Sequence, residues 1–271
     1  MLRKGLQLYN SGIDNIGQQI LINTGTESAE HITTVEYSGN AFIPKKSWRP
    51  LTPKEHSIIM TNDHFNPLSK SVSIGIIPQK VINLIKKLQL SECKSLFDIE
   101  PKFQENEELV IKINKELDEF LKNKSSVQHY KFHRIAKAQP NRETTTFHFI
   151  NKEYIRYTGL HIDESRKFTP HTAYKSDNRI SINISSESRY LYYINLSLRQ
   201  IYKLYHRRKI TTENIVENFL HDFPDYPVIR LEIKPYQYYI APTDNFIHDG
   251  STLGNKEFDI TIVYTGKFDN Y

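Results

Sequence analysis

From about Gln128 onward the chain is built from short β-branched and aromatic runs, and this is the feature that most limits how it can fold. Thr144 to Ile150, Ile180 to Ile184 and Tyr190 to Ile194 are such runs, and strand character returns at Val228–Ile233, Gln237–Ala241 and Ile260–Thr265. Apolar and polar residues alternate along Ile180–Ile184, as a half-buried strand requires. Helical patterns at Leu198–Lys209 and Thr212–His221 interrupt the series. A set of short strands of this kind predicts a barrel or sandwich with helices packed outside it. The aromatic content agrees, with 17 Tyr and 14 Phe against one Trp, because such side chains pack well on a pleated surface.

The first part of the chain reads differently. Residues 1–75 are polar with short apolar runs, and are expected to form short strands and loops. The segment from Trp48 to Pro53 holds two prolines and is expected at the surface. Val81, Ile82, Leu84, Ile85 and Leu88 fall on one face of a helix spanning Gln79–Leu90. Leu109, Ile111, Ile113, Leu117 and Leu121 do so between Glu105 and Lys122, a stretch rich in the helix formers Glu and Lys. At 271 residues the chain is long enough to bury a sizeable core. It is expected to form a single mainly-β domain with flanking helices (α+β), with N-terminal strands and helices at 1–127 and the strand-rich part at 128–271.

Composition removes several function classes. A formal charge of +5 on a chain of this length is a mild excess, and its densest basic run, His206-Arg207-Arg208-Lys209, reads as a solvated helix end. A nucleic-acid surface needs more basic residues clustered on one face. No apolar run approaches a membrane span, and the N-terminal residues lack the apolar core of a signal peptide. Cys93 is the single cysteine, which fits a reducing, cytoplasmic setting. Gly-x-Ser-x-Gly and phosphate-binding glycine loops are absent.

One constellation carries chemistry. In Gly159-Leu160-His161-Ile162-Asp163, a strand conformation would project His161 and Asp163 to the same face, as a chelating pair. The segment Pro242-Thr243-Asp244-Asn245-Phe246-Ile247-His248-Asp249-Gly250 supplies a second histidine, with Gly250 permitting a tight backbone path. Two histidines and one carboxylate are the facial ligand set of non-haem Fe(II) oxygenases, leaving coordination positions open. Zn(II) or Mn(II) fit the same ligands. His171, in a Pro-flanked loop, is a weaker candidate ligand, and His148, between Phe147 and Phe149, is expected inside the barrel as a core histidine.

These two motifs, in this order, resemble those of the Fe(II)- and 2-oxoglutarate-dependent oxygenase superfamily over roughly residues 140–268. The resemblance implies a double-stranded β-helix (jelly-roll, cupin-like) core, with His161, Asp163 and His248 as metal ligands and catalytic residues. It implies Fe(II) as cofactor, 2-oxoglutarate and dioxygen as co-substrates, and hydroxylation of an unactivated C–H bond of a small molecule, with an amino acid or derivative as first guess. Many members place an Arg or Lys shortly after the second histidine to hold the far carboxylate of 2-oxoglutarate. Here Glu257 to Val263 contains no basic residue. Other branches use a basic residue on a strand soon after His-x-Asp, where Lys175, Arg179 and Arg189 are available. Arg179 and Arg189 are favoured because a guanidinium grips a carboxylate with two hydrogen bonds. Thr252 or Ser251 would add a hydroxyl. An Fe(II) oxidase that does without 2-oxoglutarate and a non-catalytic β-barrel binding protein are the alternatives.

Overall fold

Strands and helices arise where the side-chain pattern gives each element one face to bury, and here most of those elements are strands. The computed structural model describes residues 1–62, 71–151, 154–163, 167–205 and 210–270. The N-terminal part contributes β1 (Gln7–Ser11), β2 (Ile20–Ile22), β3 (Thr26–Ser28), β4 (Phe42–Pro44), β5 (Arg49–Pro50), α1 (Pro53–Ile59), β6 (Met60–Thr61) and β7 (Ser71–Ile76). Three helices follow: α2 (Gln79–Lys86), α3 (Ile99–Glu105) and α4 (Glu107–Lys124). Next come β8 (Tyr130–Ala138), β9 (Phe147–Phe149), β10 (Ile155–Tyr157), β11 (Asn178–Asn183) and β12 (Arg189–Ser197). The chain closes with α5 (Leu198–Tyr202), α6 (Ile215–Asp222), β13 (Ile229–Ile233), β14 (Gln237–Ala241), β15 (Phe246–Ser251) and β16 (Asp259–Gly266).

The strands form a seven-stranded sheet in the order β6-β1-β7-β14-β11-β16-β8 and a five-stranded sheet in the order β15-β12-β13-β2-β5. Two-stranded ribbons β9–β10 and β3–β4 lie beside them. The chain is therefore mostly β-sheet with a few helices. Alternation along each strand decides what it packs against. On β11, Ile180 and Ile182 join Tyr238, Ile240, Ile260 and Ile262 in a core with Val81, Ile82, Ile85, Leu117 and Leu121 of α2 and α4. Those helices cover the outer face of the larger sheet. Val72, Ile74, Tyr239 and Ala241 of the larger sheet meet Leu191, Tyr193, Ile229, Leu231 and Phe246 of the smaller one, so the two sheets share a core. Tyr192, Ile194 and Ile247 face outward from the smaller sheet into a third cluster with Leu198, Ile201, Ile215 and Phe219 of α5 and α6.

Some expectations need correcting. The helix predicted over Leu198–Lys209 ends as α5 at Tyr202, and the basic run 206–209 lies outside the described residues. Of Thr144–Ile150 only Phe147–Phe149 is strand, and His148 is exposed rather than in the core. The polar N-terminal segment is part of both sheets: β1 lies between β6 and β7, parallel to each, and β2 pairs with β13. No helix among the described residues is long and apolar enough to cross a membrane.

Candidate metal centre

The site grows from a single backbone pairing. His161 is not part of a regular strand, contrary to the expectation from its motif; it forms an isolated antiparallel bridge with His248 of β15. The His161 N–H donates to the His248 carbonyl at 3.0 Å, and the His248 N–H donates back at 2.8 Å. Leu160 is tied to the Phe42 carbonyl at 2.9 Å and Asp163 to that of Thr243 at 3.2 Å. Residues 160–163 are thus laid along the free edge of β15. The two imidazoles end up side by side, with ring centroids 5.0 Å apart.

Each imidazole is fixed by its own chain. His161 Nδ1 lies 2.8 Å from the Gly159 carbonyl, and His248 Nδ1 lies 3.2 Å from the Phe246 carbonyl. A carbonyl only accepts, so Nδ1 carries a proton in each ring, and Nε2 is the atom turned to another partner. Both Nε2 atoms face the same carboxylate: His161 Nε2 is 3.6 Å from Asp163 Oδ1, and His248 Nε2 is 3.6 Å from Asp163 Oδ2. These separations exceed a hydrogen bond and suit donors that share one ion. One ligand atom from each of His161, Asp163 and His248 lies within 4.8 Å of the other two, the one such group found among the described residues. An N₂O donor set of this type fits a first-row divalent metal.

The ionisation of the three groups follows burial and one another's charge. Burial and the surrounding charges act on the two histidines in opposite senses. Burial opposes charge on His161, but the carboxylates of Asp163 and Asp249 outweigh it and push its pKa up to about 10. Burial dominates at His248 and brings it down to about 4. Asp163 is buried too, which favours its neutral form, yet His161, His248 and Arg179 hold it well below the usual carboxylate range. Asp249 is fully buried behind His161. Its Oδ1 accepts from the backbone N–H groups of Thr146 and Gly250 at 3.2 and 2.6 Å. Its Oδ2 has no hydrogen-bond partner and lies 3.6 Å from His161 Nδ1. A buried carboxylate oxygen left facing an imidazole N–H is the arrangement by which metal proteins orient a ligand from behind.

The centre opens into a cavity of about 350 Å³ between the two sheets, within the size range of small-molecule sites. The two expected basic residues occupy different places in it. Arg179 of β11 is ion-paired to Asp163 Oδ2 at 2.7 Å, with Asp244 at 3.9 Å, so it holds a member of the His161, Asp163 and His248 group itself. Arg189 of β12 is buried deeper, its Nη1 3.2 Å from Asp259 Oδ2 and hydrogen-bonded to Thr261 Oγ1, while its Nε has no partner. Ser181, Tyr239 and Thr261 line the same end. Thr252 is elsewhere: its hydroxyl donates to the Gln139 carbonyl at 2.8 Å and accepts from the Arg142 N–H at 3.0 Å, and it does not line the cavity. Ser251 Oγ is likewise engaged with the Arg142 carbonyl. His171 packs edge-on against Tyr202, 4.3 Å between centroids, away from the ligand group.

Gly250 lines the cavity for a reason its sequence context conceals. Its backbone is not left-handed. A Cβ there would lie 2.5 Å from Thr145 Oγ1 and 2.6 Å from Arg189 Nη2, so the missing side chain makes room for the guanidinium. Sequence reasoning also missed Arg134 of β8, a cavity residue discussed below. Its signal was available only through the strand pairing that turns it inward.

No family model matches the chain, and no curated protein does. Among solved structures, the chain is similar to the cobalt(II) complex of the Kdo hydroxylase KdoO, a non-heme Fe(II) alphaketoglutarate dependent dioxygenase. The identity is 12%, the match covers 75% of this chain and 82% of that one, and the TM-score is 0.36. At so low an overlap, function rests on the chemistry of the site.

Proposed function

We propose that the protein is an Fe(II)- and 2-oxoglutarate-dependent oxygenase that hydroxylates a C–H bond of a small molecule. The two facing sheets are, in this reading, a double-stranded β-helix core formed mainly by residues 128–271 and braced by 1–127. The single observation that carries the proposal is the convergence of two Nδ1-anchored imidazoles on one carboxylate, at 3.6 Å from each. Two histidines and an aspartate leave open positions on a divalent iron, which is what a reaction with dioxygen and a bidentate co-substrate requires.

In this role His161 Nε2, His248 Nε2 and one oxygen of Asp163 would hold the iron. Arg179 keeps the Asp163 carboxylate charged and oriented through Oδ2. Gly159 O and Asp249 fix the His161 ring from behind. Arg189, buried and carrying an unpartnered Nε, would take the far carboxylate of 2-oxoglutarate, with the hydroxyls of Ser181, Tyr239 and Thr261 beside it. Iron held there would supply the activation of dioxygen, the oxidant, with 2-oxoglutarate giving two electrons as it is converted to succinate and CO₂ and the substrate C–H bond giving two as it becomes C–OH. The protein positions these groups and keeps water from them.

Anaerobic titration with Fe(II) and then 2-oxoglutarate tests this directly. A visible metal-to-ligand charge-transfer band is expected in the wild type and not in His161→Ala, and succinate is expected on admitting oxygen. Absence of both band and succinate in the wild type sinks the proposal. One observation favours a second reading, an Fe(II) oxidase that does not use 2-oxoglutarate: the Arg189 charge is already matched by Asp259 at 3.2 Å. Iron-dependent oxygen consumption without succinate would select it.

A further inference from the structure

Strand register carries the cavity wall beyond the metal ligands. Arg134 of β8 pairs with Val263 of β16, Val263 with Ser181 of β11, and Ser181 with Tyr239 of β14. Paired residues on neighbouring strands point to the same face, so these four side chains form one row across the inner face of the larger sheet. All four line the cavity. Because β8 is the outermost strand of its sheet, Arg134 sits at the end of that row.

Four cationic residues line the cavity: Arg134, Lys137, Arg179 and Arg189. Three have a carboxylate within ion-pair reach. Arg179 has Asp163 at 2.7 Å, Arg189 has Asp259 at 3.2 Å and Lys137 has Glu100 at 3.6 Å. Arg134 has none among the described residues. A divalent iron and the 2-oxoglutarate dianion would cancel each other, and Asp163 and Asp259 are matched by Arg179 and Arg189. The Arg134 charge is what remains of the wall. The same cavity also has an apolar surface. Phe147 and Phe149 on β9 both line the cavity, with their rings edge to face at 5.6 Å, and Phe149 is 68% exposed. A large ring left in water beside a cavity is a surface awaiting an apolar partner.

We propose that Arg134 and the Phe147–Phe149 wall form the subsite for the substrate to be oxidised, and that they select a small molecule with an apolar body and one anionic group, carboxylate or phosphate. The proposal rests on the oxygenase reading and adds the substrate class to it. Arg134 grips the anion with its planar fork, and the phenyl rings cover the apolar part.

Calorimetric titration of the full chain, loaded anaerobically with Fe(II) and 2-oxoglutarate, tests it with three probes: 3-phenylpropionate, phenyl phosphate and the uncharged 3-phenylpropanol. At least one anion is expected to bind saturably and at least tenfold more tightly than the alcohol. Arg134→Gln should remove that preference, Arg134→Lys should restore most of it, and Phe149→Ala should weaken all three probes. The 2-oxoglutarate affinity of Arg134→Gln should stay within twofold of wild type. The ratio of the two anions identifies whether carboxylate or phosphate is the natural group. Equal binding of alcohol and acids, no saturable anion binding, or an Arg134→Gln defect in 2-oxoglutarate binding of the same size would each overturn the proposal. Recording the charge-transfer band on the same Fe(II)- and 2-oxoglutarate-treated samples separates the two readings. Arg134-dependent anion binding without any charge-transfer band sinks the iron reading alone, and a band without such binding sinks this one alone.

Discussion

Gly250 shows how much of a site is decided by what leans on a residue rather than by the residue itself. Its sequence position, just after His248, points to a tight backbone path; the fold instead uses it as space for the Arg189 guanidinium. Because the clash is with the far end of one flexible side chain and one hydroxyl, Gly250→Val is expected to fold. It should displace Arg189 from Asp259 and Thr261, weakening 2-oxoglutarate binding at least tenfold while changing Fe(II) affinity much less. Anaerobic titrations of each ligand separately would check this, and equal losses for both would contradict it. His161, Asp163 and His248 were legible because two short motifs carry chemistry-bearing residue types at telling spacings. The support behind them was not. Asp249 reads as part of a motif, yet only the fold shows that it stands behind His161. Arg134 lies in β8, a strand that none of the runs read from the sequence marks.

Elements were legible where their pattern repeats over several turns. The periodicity of Val81, Ile82 and Ile85 marked α2, and that of Ile113, Leu117 and Leu121 marked α4, since tertiary burial follows the same faces. Shorter elements rest on end signals. The segment Trp48–Pro53, with its prolines at 50 and 53, leads into α1, whose Thr52 and Glu55 form a reciprocal capping box. Thr52→Ala should cost about 1 kcal/mol of stability, measurable by urea unfolding. Glu55 is also ion-paired to Arg49 at 2.7 Å. The Arg49 hydrogen bond leads the causes that bring its pKa down from 4.5 to about 2. A depressed folded-state value means that the contribution is complete above about pH 4.5 and fades as pH falls through about 2. The pair is at the surface, where such interactions contribute about 0.2–1 kcal/mol. The stability gap between wild type and Glu55→Gln should therefore be present at pH 6 and close near pH 2. A gap unchanged at pH 2 would contradict the assignment.

At the scale of the whole molecule, the mainly-β class and the outer helices could be read from the run of strands in the second half. How the N-terminal segment takes part could not, because β1 pairs in parallel with β7 across the intervening β2–β6 region, a long-range contact with no local signature. The helices matter to the site through the sheet they back. Leu117 of α4 is fully buried against the outer face of the strands that carry Arg179 and Thr261. Leu117→Ala should destabilise the fold by about 2–5 kcal/mol, read by denaturant unfolding, and leave the charge-transfer band intact in the molecules that remain folded. The bridge between His161 and His248 has a consequence of a different kind. These residues lie 87 positions apart, and the loop between them contains four strands and the two outer helices of the smaller sheet. An ion held by both histidines fastens the two ends of that loop together, as a reversible cross-link would. Each tenfold rise in free metal above its dissociation constant should then add about 1.4 kcal/mol to the resistance to unfolding. Zn(II), which has no redox chemistry, suffices to measure it. In that sense the centre would act as a buckle, fastening shut the fold that builds it.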